Sequence, residues 1–399
     1  LNKLWQQLAI ATNWPVLAAV AVLSSLGVMS IWAHSSDVGG KQLVYLAVAI
    51  ACMFAFQAVN YQVFLRWAWP FYIFSLMLVA YTVAGSKLPL PFIHKTKGVF
   101  AWINLGPVSL EPSELTKIGF ILVLARYLRY RSSYRTVAGL LAPFALALVP
   151  IVLILKQPDL GVASLFMPTL LVMLFVAGAR VKHMLLVLCL GLTFLPIFWF
   201  AGPRYDQHDQ EDRSKEVPVL RYLPALMKEY QRDRVHAIFS RDPKTSGGLN
   251  YQQDHAMMAF GSGGATGKGL GEIPVGRHVP EAHDDMIFAL IGEQFGFFGA
   301  AAVLGAYLVL FAAGIEISAA TKEPFGRMVA VGVVAMLACQ ASINLMVCLR
   351  MMPVTGVTLP FVSYGGSSLL ASFMAAGLLL NVGQNRPLVI GKEAFQFDS

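Results

Sequence analysis

Charge is what this sequence has least of. Only 13% of its 399 residues are Asp, Glu, Lys or Arg, against about 25% in an ordinary soluble protein. The shortfall excludes a disordered chain and a nucleic-acid-binding module. It also excludes most soluble enzymes, because a chain that is 57% hydrophobic, with a mean hydropathy of +0.62, needs a solvent other than water. Cysteine is scarce too. Cys52, Cys189, Cys339 and Cys348 all lie in apolar runs, with no CxxC spacing and no nearby His. That gives no indication of a disulfide framework or a cysteine metal site and favours small apolar core residues. No cleavable leader is expected, since the first apolar run is too long and lacks an A-x-A site. Internal repeats and low-complexity tracts are absent as well.

What is present is apolar run after apolar run. At roughly 20 residues per membrane helix, spans are expected near 14–33, 42–59, 63–84, 114–129, 137–155, 162–179, 182–201, 286–315, 327–349 and 361–382. The fold class is therefore an all-α polytopic membrane protein of about ten transmembrane helices, forming a single membrane domain over residues 1–399. An even count puts both termini on one side. Arg126, Arg129, Arg131, Arg135, Arg180, Lys182, Lys322, Arg327, Arg386 and Lys392 fall on that side, which makes it cytoplasmic and gives the net charge of +8 a topological origin. Lys87, Lys95 and Lys97 oppose the pattern and are outnumbered. The outer face carries a loop of about 85–113 and a large one of about 202–285, before the eighth span. Within the latter, Val219, Leu220, Leu223, Leu226, Met227 and Tyr230 have the spacing of a helix lying at the membrane surface.

The run Gly261-Ser262-Gly263-Gly264-Ala265-Thr266-Gly267-Lys268-Gly269 looks like a phosphate loop but lacks its spacing. A flexible outer loop is expected there, whose amides and Lys268 could meet an anionic headgroup. Pro280-Glu281-Ala282-His283-Asp284-Asp285 stands directly before an apolar run. Acids at a helix N-terminus suit the helix dipole. Two adjacent carboxylates beside a His at a membrane edge suit a general base equally well, because repulsion and partial burial raise a carboxylate pKa. In Glu111-Pro112-Ser113-Glu114-Leu115-Thr116-Lys117, Ser113 is placed to cap a helix and Glu114 and Lys117 share a face. Lys117 nevertheless falls inside an apolar run, where an ionisable group is costly and usually functional. Asp159, in Gln157-Pro158-Asp159-Leu160-Gly161, Asn344, Arg350 and the segment Pro353–Ser368, which includes Ser363, complete the candidates. In that last segment, close packing of small residues competes with ligand contact.

In this order the clusters resemble the SEDS family (shape, elongation, division and sporulation), which includes the RodA and FtsW proteins, with RodA the nearer. The likeness runs through Trp102–Gly106, Pro112–Lys117, Gln157–Gly161, the Gly-rich run, Pro280–Asp285 and Pro353–Ser368. It implies a peptidoglycan glycosyltransferase that polymerises lipid II at the outer face of the bacterial cytoplasmic membrane. The partners it implies are a class B penicillin-binding protein and other elongation or division proteins. The family's catalytic Asp maps onto Asp285, and Asp284 replaces a residue that is commonly Thr. Trp102, Glu114, Lys117 and Asp159 match functional positions of the family. Lys268, Glu281, His283, Arg350 and Ser363 are the further candidates for substrate contact. Ala101, Val162, Arg350-Met351 and Gln252-Gln253-Asp254-His255 depart from the family's usual residues.

Glycosyl transfer needs a base for the acceptor hydroxyl and positive charge for the departing diphosphate. Asp285 suits the first. Lys117 and Arg350 suit the second, with Lys97 and Lys268 as looser candidates. A divalent cation, magnesium or manganese, is compatible with this chemistry, but the sequence does not demand one. Two rivals have other signatures. A flippase for the lipid-linked precursor predicts essential charges near the membrane midplane, and a non-catalytic scaffold predicts tolerance of changes at Asp285.

Overall fold

A computed structural model describes residues 13–86, 88–93, 99–104, 106, 109–130, 133–193 and 251–384. It is almost wholly helical. In chain order the elements are α1 (Trp14–His34), α2 (Ser36–Ala58), α3 (Tyr61–Gly85), β1 (Ile103–Asn104), β2 (Ser109–Leu110), α4 (Pro112–Tyr130), α5 (Val137–Lys156), α6 (Leu160–Val176), α7 (Val181–Thr193), α8 (Tyr251–Ser262), α9 (Ile287–Ala320), α10 (Pro324–Cys348) and α11 (Gly366–Gln384). Among the described residues, α1, α2, α3, α5, α9, α10 and α11 are long and apolar enough to cross a membrane. The protein is a polytopic helical membrane protein.

The three remaining expected segments coincide with α4, α6 and α7. The last two are short. α4 carries Glu114, Lys117, Arg126 and Arg129, which lowers its apolarity. It tolerates them because it is walled by α3, α10 and other helices, and its residues from Ile118 to Ala125 are all buried. A helix enclosed by protein needs no lipid-compatible surface. α10 and α11 share this interior, whereas α2 and α3 turn Val44, Val48, Phe54, Phe74 and Met77 outward, where lipid would cover them.

Two boundaries differ from the sequence reading. The last apolar segment becomes helical only at Gly366, because Pro360 and a left-handed Phe361 (φ 67°) hold the preceding residues in turns. α9 runs on to Ala320 and is broken at Gly296 (φ 64°, ψ −156°). The described part of the large loop folds back onto the bundle. The surface helix expected around 219–230, together with Lys87, Lys95, Lys97, Arg131, Arg386 and Lys392, lies outside the described residues.

The glycine-rich run explains the break in α9. A Cβ on Gly296 would lie 2.3 Å from the Gly267 nitrogen, and one on Gly267 would lie 2.1 Å from the Gln294 carbonyl oxygen. Only glycine permits this approach. Across it, the amides of Lys268 and Gly269 donate to the carbonyls of Glu293 (2.9 Å) and Gln294 (3.1 Å), and that of Phe297 donates to the Gly264 carbonyl (2.9 Å). The loop thus satisfies backbone groups that the break releases in an apolar setting. This corrects the expectation of a flexible loop with amides available to an anion: those of Gly267, Lys268 and Gly269 are spent internally.

Candidate active site at one end of the bundle

Two polar clusters form where helices begin or end on one face. The first lies ahead of α9. Residues 280–286 form successive turns, with Glu281 left-handed at φ 51°. Asp285 is 9% exposed, and its backbone oxygen accepts from Asn344 Nδ2 at 2.8 Å. The N-cap of α9 is Met286, which offers no side-chain cap, so neither acid occupies the capping position. His283 Nε2 lies 3.6 Å from Asp284 Oδ1. Its ring meets Tyr364 edge-on at 5.4 Å and lies 5.8 Å from the ring of His34. Tyr364 donates its amide to the His283 carbonyl at 2.9 Å. Glu281, His283 and Asp284 offer ligand atoms within 4.8 Å of one another. Two carboxylates and an imidazole could hold a divalent cation such as manganese or magnesium.

The second cluster surrounds the start of α4. Lys117 Nζ donates to Glu114 at 2.9–3.0 Å and to Gln340 Oε1 at 2.7 Å, with Lys117 and Glu114 only 3% and 4% exposed. Ser113 is not the cap expected of it. The helix begins at Pro112, and the Ser113 hydroxyl donates to Glu111 Oε1 at 2.6 Å. Asp159 caps α6, accepting from the Val162 amide at 3.0 Å. The following Gly161 lets the 353–358 segment press against α6, since a Cβ there would lie 2.5 Å from the Thr355 carbonyl oxygen.

Glu111 and Asp159 lie just outside the helices. Burial, then the neighbouring Glu114 and Asp159 charges, pushes the Glu111 carboxyl up to about 8. Burial is also the main reason the Asp159 carboxyl is raised to about 6. Both groups hold protons more tightly folded than unfolded. Their contribution to stability is therefore complete below the ordinary carboxylate range and is lost as pH rises through the raised values. Thermal unfolding of the detergent-solubilised protein should show stability declining from about pH 4 to about pH 8. Glu111→Gln should flatten the upper part of that decline. An unchanged slope in the variant would remove Glu111 as the titrating group.

The other sequence candidates have local partners. Lys268 Nζ pairs with Glu293 Oε1 at 2.8 Å. Glu293, 0% exposed, also accepts from the amides of Val275 (3.1 Å) and Gly276 (2.6 Å). Arg350, left-handed at φ 56°, pairs with Asp254 of α8. The neighbouring Gln253 donates to the carbonyls of Val347 and Met352, so α8 fastens the turn after α10. Ser363 Oγ accepts from the Leu359 amide at 2.8 Å and closes a turn. Trp102 is partly buried and immediately precedes β1, which pairs with β2. Ser367 ties this hairpin to α11 by donating to the Ser109 carbonyl at 2.9 Å. The structure thus joins Glu114, Lys117 and Asp159 in one cluster and Glu281, His283 and Asp284 in another, which Asp285 directly follows in the chain. Lys268 and Arg350 each pair with an acid from another element. Glu111, Gln340 and Glu293 were not picked out by the sequence, although each of the last two is a polar residue inside an apolar run.

Comparison with known proteins identifies the family. The family model for FtsW, RodA and SpoVE, described as cell cycle proteins, matches residues 5–387. The chain is 31% identical to the probable peptidoglycan glycosyltransferase FtsW of Trichlorobacter lovleyi, with 95% of each chain covered. It is 29% identical to the peptidoglycan glycosyltransferase MrdB of Escherichia coli K12, over 94% of this chain and 93% of the other. Among solved structures it superposes on a chain of a peptidoglycan synthase complex described as coordinating polymerization and crosslinking. That match has a TM-score of 0.75 and 29% identity and covers 94% of this chain and 99% of the other. A family match over nearly the whole length and a relative 31% identical over 95% of the chain leave one conclusion: the chain belongs to the FtsW, RodA and SpoVE family, the SEDS proteins.

Proposed function

We propose that this protein is a peptidoglycan glycosyltransferase that polymerises lipid II at the outer face of the bacterial cytoplasmic membrane, with both termini cytoplasmic. The observation that carries the reading is Asp285, a nearly buried carboxylate fixed through its backbone at the point where an apolar helix begins. That position lets a polar headgroup reach the carboxylate while a polyprenyl tail stays in lipid. Asp285 takes the proton from the acceptor's sugar hydroxyl. The hydroxyl oxygen bonds to the anomeric carbon of the donor, and the bond to the lipid diphosphate breaks with its electron pair leaving on the diphosphate. Lys117 supplies positive charge for that leaving group. Glu281, His283 and Asp284 would hold a divalent cation, which would supply further charge for the diphosphate. The names of the relatives support the activity, and the synthase complex among the solved structures supports a cross-linking partner, in keeping with a class B penicillin-binding protein.

The location of the charges favours this reading over a flippase. Asp285, Asp159, Glu111, Glu114 and Lys117 lie at helix starts rather than at mid-helix depth. Labelled lipid II incubated with the purified protein should yield a ladder of glycan polymers. Transbilayer movement of intact lipid II without any ladder would overturn the proposal.

A further inference from the structure

α10 is an apolar helix with two fully buried amide side chains one turn apart, Gln340 (2% exposed) and Asn344 (0%). Spacing of i and i+4 puts both on one face. A buried amide is costly unless its polar atoms are bonded, and here the bonds lead to both clusters. Gln340 accepts from Lys117 Nζ at 2.7 Å and donates to the Thr358 carbonyl at 3.0 Å. Asn344 donates to the Val357 carbonyl at 2.7 Å and to the Asp285 carbonyl at 2.8 Å. Residues 357 and 358 are consecutive and non-helical, so the two amides grip successive carbonyls of one segment. The Thr358 hydroxyl is joined in turn to that of Ser368 at 2.5 Å, at the start of α11. An unbroken path therefore runs from the Lys117 ammonium through Gln340, the 357–358 backbone and Asn344 to the backbone of Asp285.

We infer that Gln340 and Asn344 are positioning residues, a two-amide brace that fixes Asp285 relative to Lys117 so that base and leaving-group cation act on one bound substrate pair. This rests on the proposed roles of Asp285 and Lys117. Neither amide needs to touch substrate. Their effect is geometric, and geometric errors of about 1 Å typically cost about 10²-fold in rate.

The test compares full-length wild type, Asn344→Leu, Gln340→Leu and the double variant in detergent, with two readouts. In hydrogen–deuterium exchange, Asn344→Leu should speed exchange in peptides covering 283–289 and 354–362. Gln340→Leu should speed it in 354–362 only. In lipid II polymerisation, Asn344→Leu should lower kcat about 10- to 100-fold while KM moves by less than about twofold, since substrate binding itself is untouched. The double variant should lose less than the product of the single losses, because both changes break one path. Should Asn344→Leu not fold, Asn344→Ser, which keeps one donor, should give an intermediate exchange rate and an intermediate kcat. Wild-type exchange at 283–289 in the Asn344 variants, or a change confined to KM, would overturn the brace. An inactive wild type would sink the polymerase reading instead, and the exchange data would still decide the brace.

Discussion

Asp285→Asn should reduce polymer formation from lipid II by about 10²- to 10⁴-fold, the usual cost of losing a general base. Asn is nearly isosteric with Asp and cannot accept a proton at neutral pH. The backbone oxygen that receives Asn344 is unaffected by the change, so the turn ahead of α9 should keep its form. Folding and membrane insertion should therefore persist, which a melting curve and a size-exclusion profile would check. The informative comparison is Asp284→Asn at matched expression. Asp284 lies beside His283 and within the possible cation-holding trio. Its loss should cost far less at saturating manganese and should appear mainly as a higher manganese requirement. Asp285→Asn should not be rescued by any manganese concentration. Near-normal ladders from the Asp285 variant, or equal losses that manganese restores in both variants, would remove Asp285 from the role of base.

The polytopic helical class was legible because membrane helices write their length directly into the sequence: seven described helices are long and apolar enough to cross a membrane, and each lies on an expected segment. Lys117 was legible for a related reason: an ammonium within an apolar run stands out, and it proves to be buried against Glu114. Its second partner was not legible, because nothing in local spacing links position 117 to Gln340 on a helix more than two hundred residues away. Long-range hydrogen bonds of this kind are set by helix packing. The glycine-rich run shows a different limit. Its composition signals close backbone approach equally well to a ligand or to protein, and only the positive φ and close contacts of Gly267 and Gly296 assign it to the break in α9. Arg350 and Lys268 show a third limit. Their ion-pair partners, Asp254 and Glu293, lie elsewhere in the chain, and no local spacing announces them.

Lys117→Met should abolish detectable polymer and also lower the melting temperature, and one further substitution separates these effects. Removing the ammonium leaves the Glu114 carboxylate buried beside Glu111 and Asp159, without the cation that neutralises it. Breaking a buried pair from one side typically costs about 3–5 kcal/mol. Part of any activity loss in the single variant therefore reflects a disturbed α4 rather than lost chemistry. Glu114→Gln combined with Lys117→Met removes both charges and keeps both volumes, so the melting temperature should return towards wild type. If Lys117 steadies the departing diphosphate, turnover in the double variant should stay down by about 10²- to 10³-fold, the scale for removing one group that stabilises transition-state charge. Gln340 would lose its ammonium partner in either variant but keep its bond to the Thr358 carbonyl, so the brace to Asp285 should survive both. A double variant that regains both stability and turnover would reduce Lys117 to a structural counter-ion and leave the diphosphate to other cations.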